Sequence, residues 1–415
     1  MKIAIVSEFF PPVSVGGAEL SAFHLAERLS HHDEVEVVTV DYGPRLKDPP
    51  FPVHYLDLPD IQKSGDYEAD PRALVESKDR AKRPFSSLKH HLSFGWQLAR
   101  LARERRYDVI HTQQVDSTLA AYLTRHWHRR PIVTTLRSYR YTSNRWADQV
   151  AESSGAMPPD RRTSSQRRFS ELKWILPRRA LKSCARVFTV SDFVRHVHVN
   201  AGVVDSRRAT TVYNFMPTIP ATLPDRRKLR IRYGLEGPTI LFSGRLTAGK
   251  GVFLLVKAME KVVREIPTSR LIVAGGGDQS HLRLLASRRG VDRNVTFEGF
   301  VENRKLLEMM SASDLVAVPS LYHEPLGRVL LEAVALDRPI VATRVGGTPE
   351  VVSDRENGYL VEPNDERSLG ASIVRALNDS ELPARASAAN ARLRDARLNP
   401  DRTLERVREG YRAAA

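Results

Sequence analysis

Short apolar runs alternate with longer stretches of mixed polarity through most of this chain. In the second half the apolar runs contain Ile240, Leu271, Val295, Leu315 and Ile340, and helical spacing separates one run from the next. Near-continuous apolar strands that alternate with helices are typical of a parallel sheet covered on both faces. The pattern therefore predicts an α/β domain in this half.

The first half repeats the same plan. Apolar runs that read as strands cover residues 2–7, 35–40, 108–114, 132–137 and 185–191. The first run is followed by a Gly-Gly loop and then by apolar residues at helical spacing. This is a Rossmann-like start, although it lacks the dinucleotide-binding Gly-x-Gly-x-x-Gly pattern.

A chain of 415 residues with 41% hydrophobic content is long enough for two domains. Four prolines surround a basic run between residues 217 and 238, which marks a boundary. We predict an N-terminal domain over residues 1–215, a linker over 216–236 and a C-terminal domain over 237–390.

Composition argues against disulfide-bonded, cysteine-zinc and membrane-spanning proteins. The single cysteine, Cys184, excludes an intramolecular disulfide and a cysteine-based zinc site. The chain begins with a short strand rather than a signal peptide, and no apolar stretch approaches the roughly 18 residues of a spanning helix. We therefore expect a cytoplasmic protein, or one at the cytoplasmic face of a membrane.

A glycine-rich loop follows the first strand of the C-terminal domain. Arg245 and Lys250 flank its glycines within Gly244–Gly251. The rigid donor fork of arginine and the compact charge of lysine together suit a diphosphate. The spacing is not that of a phosphate-binding P-loop, and a plain turn with two surface cations is the alternative.

Two glutamates eight positions apart, Glu324 and Glu332, occupy a strand, loop and helix unit. Ligands of open α/β sheets bind beyond the carboxyl ends of the strands, near helix N-termini. Paired acids there suit a polyhydroxylated ligand such as a sugar nucleotide. Two solvated acids beside an ordinary helix start are the alternative, because acids favour the first helical turn.

Together these motifs resemble the GT-B glycosyltransferases, in particular the large retaining family 4. The matching segments are Gly244–Gly251, the turn Gly275–Gly277 and the Glu-x7-Glu pair Glu324–Glu332, all in the family's order. The resemblance implies two Rossmann-like domains that face each other across a cleft. It also implies that a C-terminal helix, residues 391–415, crosses back to the N-terminal domain.

The resemblance assigns roles to individual residues. Arg245 and Lys250 would stabilise the departing diphosphate, Glu324 would orient the sugar or stabilise its developing positive charge, and Glu332 would accept hydrogen bonds from the ribose. Further donor contacts are expected from Gly16, Gly17, Gln113, Leu326, Gly327, Phe300 and Val301.

Two departures from the family pattern stand out. Leu326 replaces a common phenylalanine, and Gln113 replaces the second histidine of a His-x-His motif. Glutamine donates and accepts hydrogen bonds but is not a general base. His111 is a further candidate, although a buried, hydrogen-bonded histidine is the simpler interpretation.

The predicted function is transfer of a sugar from a nucleoside-diphosphate sugar to a glycan or lipid-linked acceptor, with retention of configuration. No Asp-x-Asp pair occurs, so we expect no metal and no cofactor. The alternatives are a GT-B sugar-nucleotide epimerase and a non-catalytic protein that binds a sugar nucleotide.

The net charge of +15 indicates an anionic partner. Residues 78–106 and 161–186 interleave Lys and Arg with Phe, Leu and Trp. Such tracts suit an anionic membrane surface, and solvated helix faces are the alternative. Nucleic acid is not expected, because no zinc-finger or RNA-recognition signature is present. We interpret residues 142–168 as a mobile loop on the acceptor side.

Overall fold

The computed structural model describes residues 1–13, 17–58, 84–139 and 174–415. It divides into two units. The first unit contains the described residues up to Phe215 together with Pro400–Ala415, and the second contains Met216–Asn399.

A seven-stranded parallel sheet forms the centre of the first unit, in the order β3-β2-β1-β4-β5-β6-β7. Its interior strands are almost entirely buried, which explains why they read as continuous apolar runs. The strands are β1 (Lys2–Val6), β2 (Glu34–Val40), β3 (Val53–Leu56), β4 (Val109–Thr112), β5 (Ile132–Leu136), β6 (Arg186–Thr189) and β7 (Ala209–Thr211).

Helices cover this sheet. Helix α1 buries Ala22, Leu25, Ala26 and Leu29, the positions whose spacing predicted a helix. The helices are α1 (Gly17–Ser30), α2 (Pro84–Arg105), α3 (Val115–Leu123), α4 (Arg125–His128), α5 (Ile175–Ser183) and α6 (Asp192–Asn200).

The second unit has a six-stranded parallel sheet in the order β10-β9-β8-β11-β12-β13. Its strands are β8 (Thr239–Ser243), β9 (Arg270–Ala274), β10 (Val295–Gly299), β11 (Leu315–Val318), β12 (Ile340–Thr343) and β13 (Gly358–Val361). Its helices are α7 (Arg226–Arg232), α8 (Val252–Glu265), α9 (Ser280–Arg288), α10 (Asn303–Ala312), α11 (Arg328–Ala335), α12 (Glu366–Asn378) and α13 (Leu382–Ala396).

The last helix, α14 (Pro400–Arg412), belongs to the first unit. Its Tyr411 is fully buried against Phe188 and His111. The chain therefore enters the first unit at Pro400, whereas residues 391–396 complete helix α13 of the second unit.

The segment predicted as a linker, residues 216–236, contains helix α7. Asp225 caps this helix by accepting a hydrogen bond from the Lys228 amide. Its arginines then pair with the second unit, where Arg226 and Arg230 both bind the carboxylate of Asp314. The prolines around this helix obscured it in the sequence.

Gly16 and the predicted loop 142–168 lie outside the described residues, as do parts of both basic tracts. Across the ranges that the structure covers, no helix combines the length and the apolar character needed to span a membrane.

Candidate active site

The loops after strands β8 and β11 meet at one edge of the second sheet, because these strands are neighbours. Their contact is an ion pair between the Lys250 Nζ and the Glu324 Oε1, 2.8 Å apart. Lys250 also lies over the Tyr322 ring, with its Nζ 5.5 Å from the centroid. The structure thus joins the two motifs that the sequence left 74 positions apart.

Glycines allow this close approach. Gly251 has a φ of 73°, and a Cβ there would lie 1.7 Å from the Pro319 carbonyl oxygen. Gly346 has a φ of 54°, and a Cβ there would lie 1.9 Å from the Glu324 carbonyl oxygen. A side chain is therefore excluded at both positions by the neighbouring backbone and by the left-handed conformation.

Glu324 is only 4% exposed. Its carboxylate accepts hydrogen bonds from Lys250 and from the Ser320 hydroxyl. Burial opposes the charge on Lys250, but the Glu324 carboxylate prevails and raises the pKa of Lys250 above its usual value. The alternative of a solvated acid is wrong for Glu324.

Glu332 lies on helix α11 and is 3% exposed. Burial raises the pKa of its carboxyl, while an ion pair with Arg328, 2.9 Å away, opposes that rise. Leu326 is buried in the preceding loop, and Gly327 caps the helix. Glu332 is therefore a second buried acid rather than a solvated one.

The remaining candidates of the second unit surround this edge. In the part of the chain that is described, the exposed Arg245 guanidinium makes no hydrogen bond or ion pair. The turn Gly275–Gly277 is tied to the Arg245 loop, since Leu246 donates its amide to the Gly276 oxygen at 3.0 Å. Phe300 follows β10 and is 77% exposed, and Val301 is half-buried.

In the first unit, Gln113 follows strand β4 and is 2% exposed. Its Oε1 accepts a hydrogen bond from Arg137 Nη1 at 2.8 Å. Its Nε2 and the Arg137 Nε are buried without a hydrogen-bond partner among the described residues. Burial lowers the pKa of Arg137 to about 10, partly offset by the charge of Glu19, so the guanidinium stays cationic at neutral pH.

His111 lies two residues before Gln113, within strand β4, and is fully buried. Its Nδ1 lies 2.6 Å from the Tyr411 hydroxyl and its Nε2 lies 2.7 Å from the Thr135 hydroxyl. Burial lowers the pKa of His111 to about 3. With both nitrogens occupied and the ring held neutral, this is the geometry of a structural histidine. Gly17, the last candidate of this unit, begins helix α1 and is exposed.

Two family models cover most of the chain. The model described as glycosyl transferases group 1 matches residues 225–393, and the model described as glycosyltransferase family 4 matches residues 15–218. A D-inositol 3-phosphate glycosyltransferase of Xylanimonas cellulosilytica is 32% identical over 320 residues, which are 73% of this chain and 70% of the relative. The chain belongs to glycosyltransferase family 4.

Other relatives of this glycosyltransferase extend over nearly its full length. An uncharacterized glycosyltransferase of Methanocaldococcus jannaschii is 27% identical over 394 residues, covering 91% of this chain and 90% of the relative. Among solved structures, an Anabaena protein in complex with UDP has a TM-score of 0.73 at 21% identity, with 99% of each chain covered. Sucrose-phosphate synthase of Thermosynechococcus elongatus has a TM-score of 0.74 at 21% identity, covering 99% of this chain and 98% of that one.

These likenesses confirm the predicted fold class. Two parallel α/β units, with the last helix returned to the first, form the GT-B fold. Within the described ranges, no group of three or more His, Cys, Asp or Glu side chains is arranged to hold a metal ion.

Several side chains that contact the candidate site residues of this glycosyltransferase were not identified from its sequence. Ser320 and Tyr322 contact the Lys250–Glu324 pair, and the His323 Nδ1 accepts a hydrogen bond from the Gly346 amide at 3.0 Å. Their only sequence signal is their place in the loop between β11 and Glu324. Arg328 and Arg137 were also missed, because an isolated arginine in a chain this basic carries no distinctive signal.

Proposed function

We propose that this glycosyltransferase moves a hexose from a nucleoside-diphosphate sugar to a glycan or lipid-linked acceptor, with retention of configuration and without a metal ion. The Lys250–Glu324 ion pair carries the proposal, because it puts a buried acid and a cation together where a strand end meets a glycine loop. The complex of the Anabaena protein with UDP, and that of the same protein with UDP-glucose, support such a donor.

The leaving diphosphate gains negative charge as the glycosidic bond breaks. The Lys250 ammonium has three donors, and the described structure uses one of them on Glu324. Arg245 adds an exposed planar guanidinium from the same loop. These two cations would stabilise the leaving group, and no Asp-x-Asp pair is present to hold a metal in their place.

Glu332 would accept hydrogen bonds from the ribose hydroxyls. Its carboxylate is withdrawn from water, so a hydroxyl donor would meet little competition from solvent. The exposed Phe300 ring and the adjacent Val301 would lie against the base, where backbone groups provide most of the recognition.

Retention is proposed to occur by attack on the same face of the sugar as the departing diphosphate. Glu324 is held by Lys250 and Ser320, which fixes its carboxylate for orienting sugar hydroxyls or stabilising positive charge at the sugar. In the first unit, Gln113 would hydrogen-bond the donor sugar through its Nε2, which has no partner among the described residues.

The test is to incubate the protein with UDP-, GDP- or ADP-glucose and with membranes of the source cells, with and without EDTA. We expect one donor to release its nucleoside diphosphate in step with glucose transfer, unchanged by EDTA. Proton NMR of the glycoside product should show that the transferred glucose has the same anomeric configuration as in the donor. Epimerisation without nucleotide release, or binding without turnover, would overturn the proposal, and Lys250→Ala provides the inactive control.

A further inference from the structure

An open groove of about 1040 Å³ lies on the first unit between helices α2 and α4. Leu88, Leu92 and Trp96 line it from α2, and Trp127 lines it from α4. The α2 residues are four positions apart, so they form a stripe on one helix face. Among the described residues, no candidate active-site residue lines this groove.

These four side chains are unusually exposed for their type. Leu88 is 38% exposed, Leu92 44%, Trp96 54% and Trp127 56%. Four of the ten large apolar side chains that are exposed within the described residues thus share one groove. Scattered exposed apolar residues are normal, whereas a contiguous patch marks a surface that binds something apolar.

Basic residues outnumber acids along the helix that carries most of the patch. Helix α2 carries four basic residues and one acid. Lys89, Arg100 and the acid Glu104 line the groove, and Arg100 is paired with Glu104 at 2.9 Å. Arg103 on α2 and Arg129, just beyond α4, are also exposed. The groove therefore combines two tryptophans and two leucines with a basic rim.

We propose that the groove between α2 and α4 docks this glycosyltransferase on an anionic lipid bilayer. Tryptophan favours the boundary between acyl chains and water, where its ring is buried and its N–H stays hydrated. Lysine and arginine beside it are attracted by anionic headgroups. A protein partner or a second copy of the chain would require matching acids, whereas a bilayer supplies a uniform negative surface.

This inference rests on the proposed function in one respect: docking on a bilayer would let the enzyme reach a lipid-linked acceptor directly. Binding to lipid needs neither donor nor acceptor. A failure of lipid binding would therefore leave sugar transfer intact, and a failure of transfer would leave lipid binding intact.

The experiment is co-sedimentation of the full chain with vesicles of phosphatidylcholine alone or with a quarter of phosphatidylglycerol. We expect binding to the anionic vesicles at least tenfold tighter than to the neutral ones, and weaker at 500 mM than at 50 mM NaCl. The variant Trp96→Gln/Trp127→Gln should bind anionic vesicles at least about tenfold more weakly, because it loses two large exposed rings that would be buried in the bilayer. The variant Lys89→Gln/Arg103→Gln should lose about fivefold per charge.

Leu284→Gln is the matched control, since Leu284 is 52% exposed on α9 of the second unit, and its binding should be unchanged. All substituted side chains are exposed, and equal melting temperatures would verify that the variants fold. Absence of binding to anionic vesicles would overturn the proposal, and so would full binding by the double tryptophan variant. Dimerisation through the groove, seen as a mass change abolished by that variant without any lipid binding, would overturn it in favour of a second copy.

Discussion

Replacing Lys250 by alanine tests whether its ion pair with Glu324 is both structural and functional. The substitution leaves the Glu324 carboxylate buried, with the Ser320 hydroxyl as its remaining hydrogen-bond donor among the side chains described. Breaking a buried pair costs about 3–5 kcal/mol, and the 21% exposure of the Lys250 side chain places this pair at the lower end. We expect a loss of about 3 kcal/mol from the free energy of unfolding.

The matched variant is Lys250→Ala/Glu324→Gln, which removes the uncompensated charge as well. Its amide can still hydrogen-bond Ser320, so we expect a loss of only about 1 kcal/mol. The double variant should therefore be about 2 kcal/mol more stable than Lys250→Ala alone.

Scanning calorimetry measures the difference, since 3 kcal/mol corresponds to about 6–12 °C for a domain of this size. Hydrogen exchange at strands β8 and β11 would show that the loss lies in the second unit. Both variants should be inactive in nucleotide release, because both lack the Lys250 ammonium. Equal destabilisation of the two variants, or recovery of activity in the double variant, would refute this reasoning.

Three further substitutions separate the roles of individual residues. Arg245→Ala should leave the melting temperature unchanged, because its guanidinium is exposed, and should lower nucleotide release about 100- to 1,000-fold, as loss of a charge-stabilising donor does. Glu324→Gln should reduce kcat far more than donor affinity measured by calorimetry, and the opposite pattern would mean that Glu324 mainly binds the donor. The pKa of His111 is about 3 in the folded protein and about 6.5 in the unfolded chain. Above pH 6.5 the histidine is neutral in both states and does not oppose folding. As the pH falls from 6.5 towards 3, only the unfolded chain takes up the proton, so the free energy of unfolding decreases by up to about 5 kcal/mol. In urea titrations across this range, His111→Gln should flatten the acid dependence while lowering stability at pH 7, and an unchanged slope would contradict the assigned burial.

The interior strands of each sheet could be predicted from the sequence, whereas only one of the four edge strands, β10, could be. Strands β1, β2, β4, β5 and β6 were predicted because both of their faces are buried, so they read as apolar runs. The three strands that were missed, β3, β7 and β13, all lie at sheet edges. They have three or four residues each, and in β3 and β7 partial exposure also allows polar side chains that interrupt the apolar signal.

The candidate site was predictable to a similar degree. The glycine loops and the acids could be recognised because each directly follows an apolar strand. Since parallel strands bring their carboxyl ends to one edge of the sheet, these motifs could be assigned to a common site. The partner of each acid was not visible, since the Lys250–Glu324 contact depends on β8 and β11 being neighbours in space. Burial of Glu332 on the inner side of α11 likewise follows from packing, because the sequence alone does not show which face of the helix this glutamate occupies.

The most direct test of the central claim is titration calorimetry with UDP, GDP and ADP, with and without EDTA, on the native chain and on Arg245→Ala and Lys250→Ala. We predict that one nucleotide binds, that EDTA leaves its affinity unchanged, and that each substitution weakens binding. At 100 times its dissociation constant, that nucleotide should stabilise the protein by about 2.7 kcal/mol. Binding that disappears with EDTA, that is unaffected by both substitutions, or that occurs with none of the three nucleotides would contradict a metal-independent nucleoside-diphosphate site built on Arg245 and Lys250.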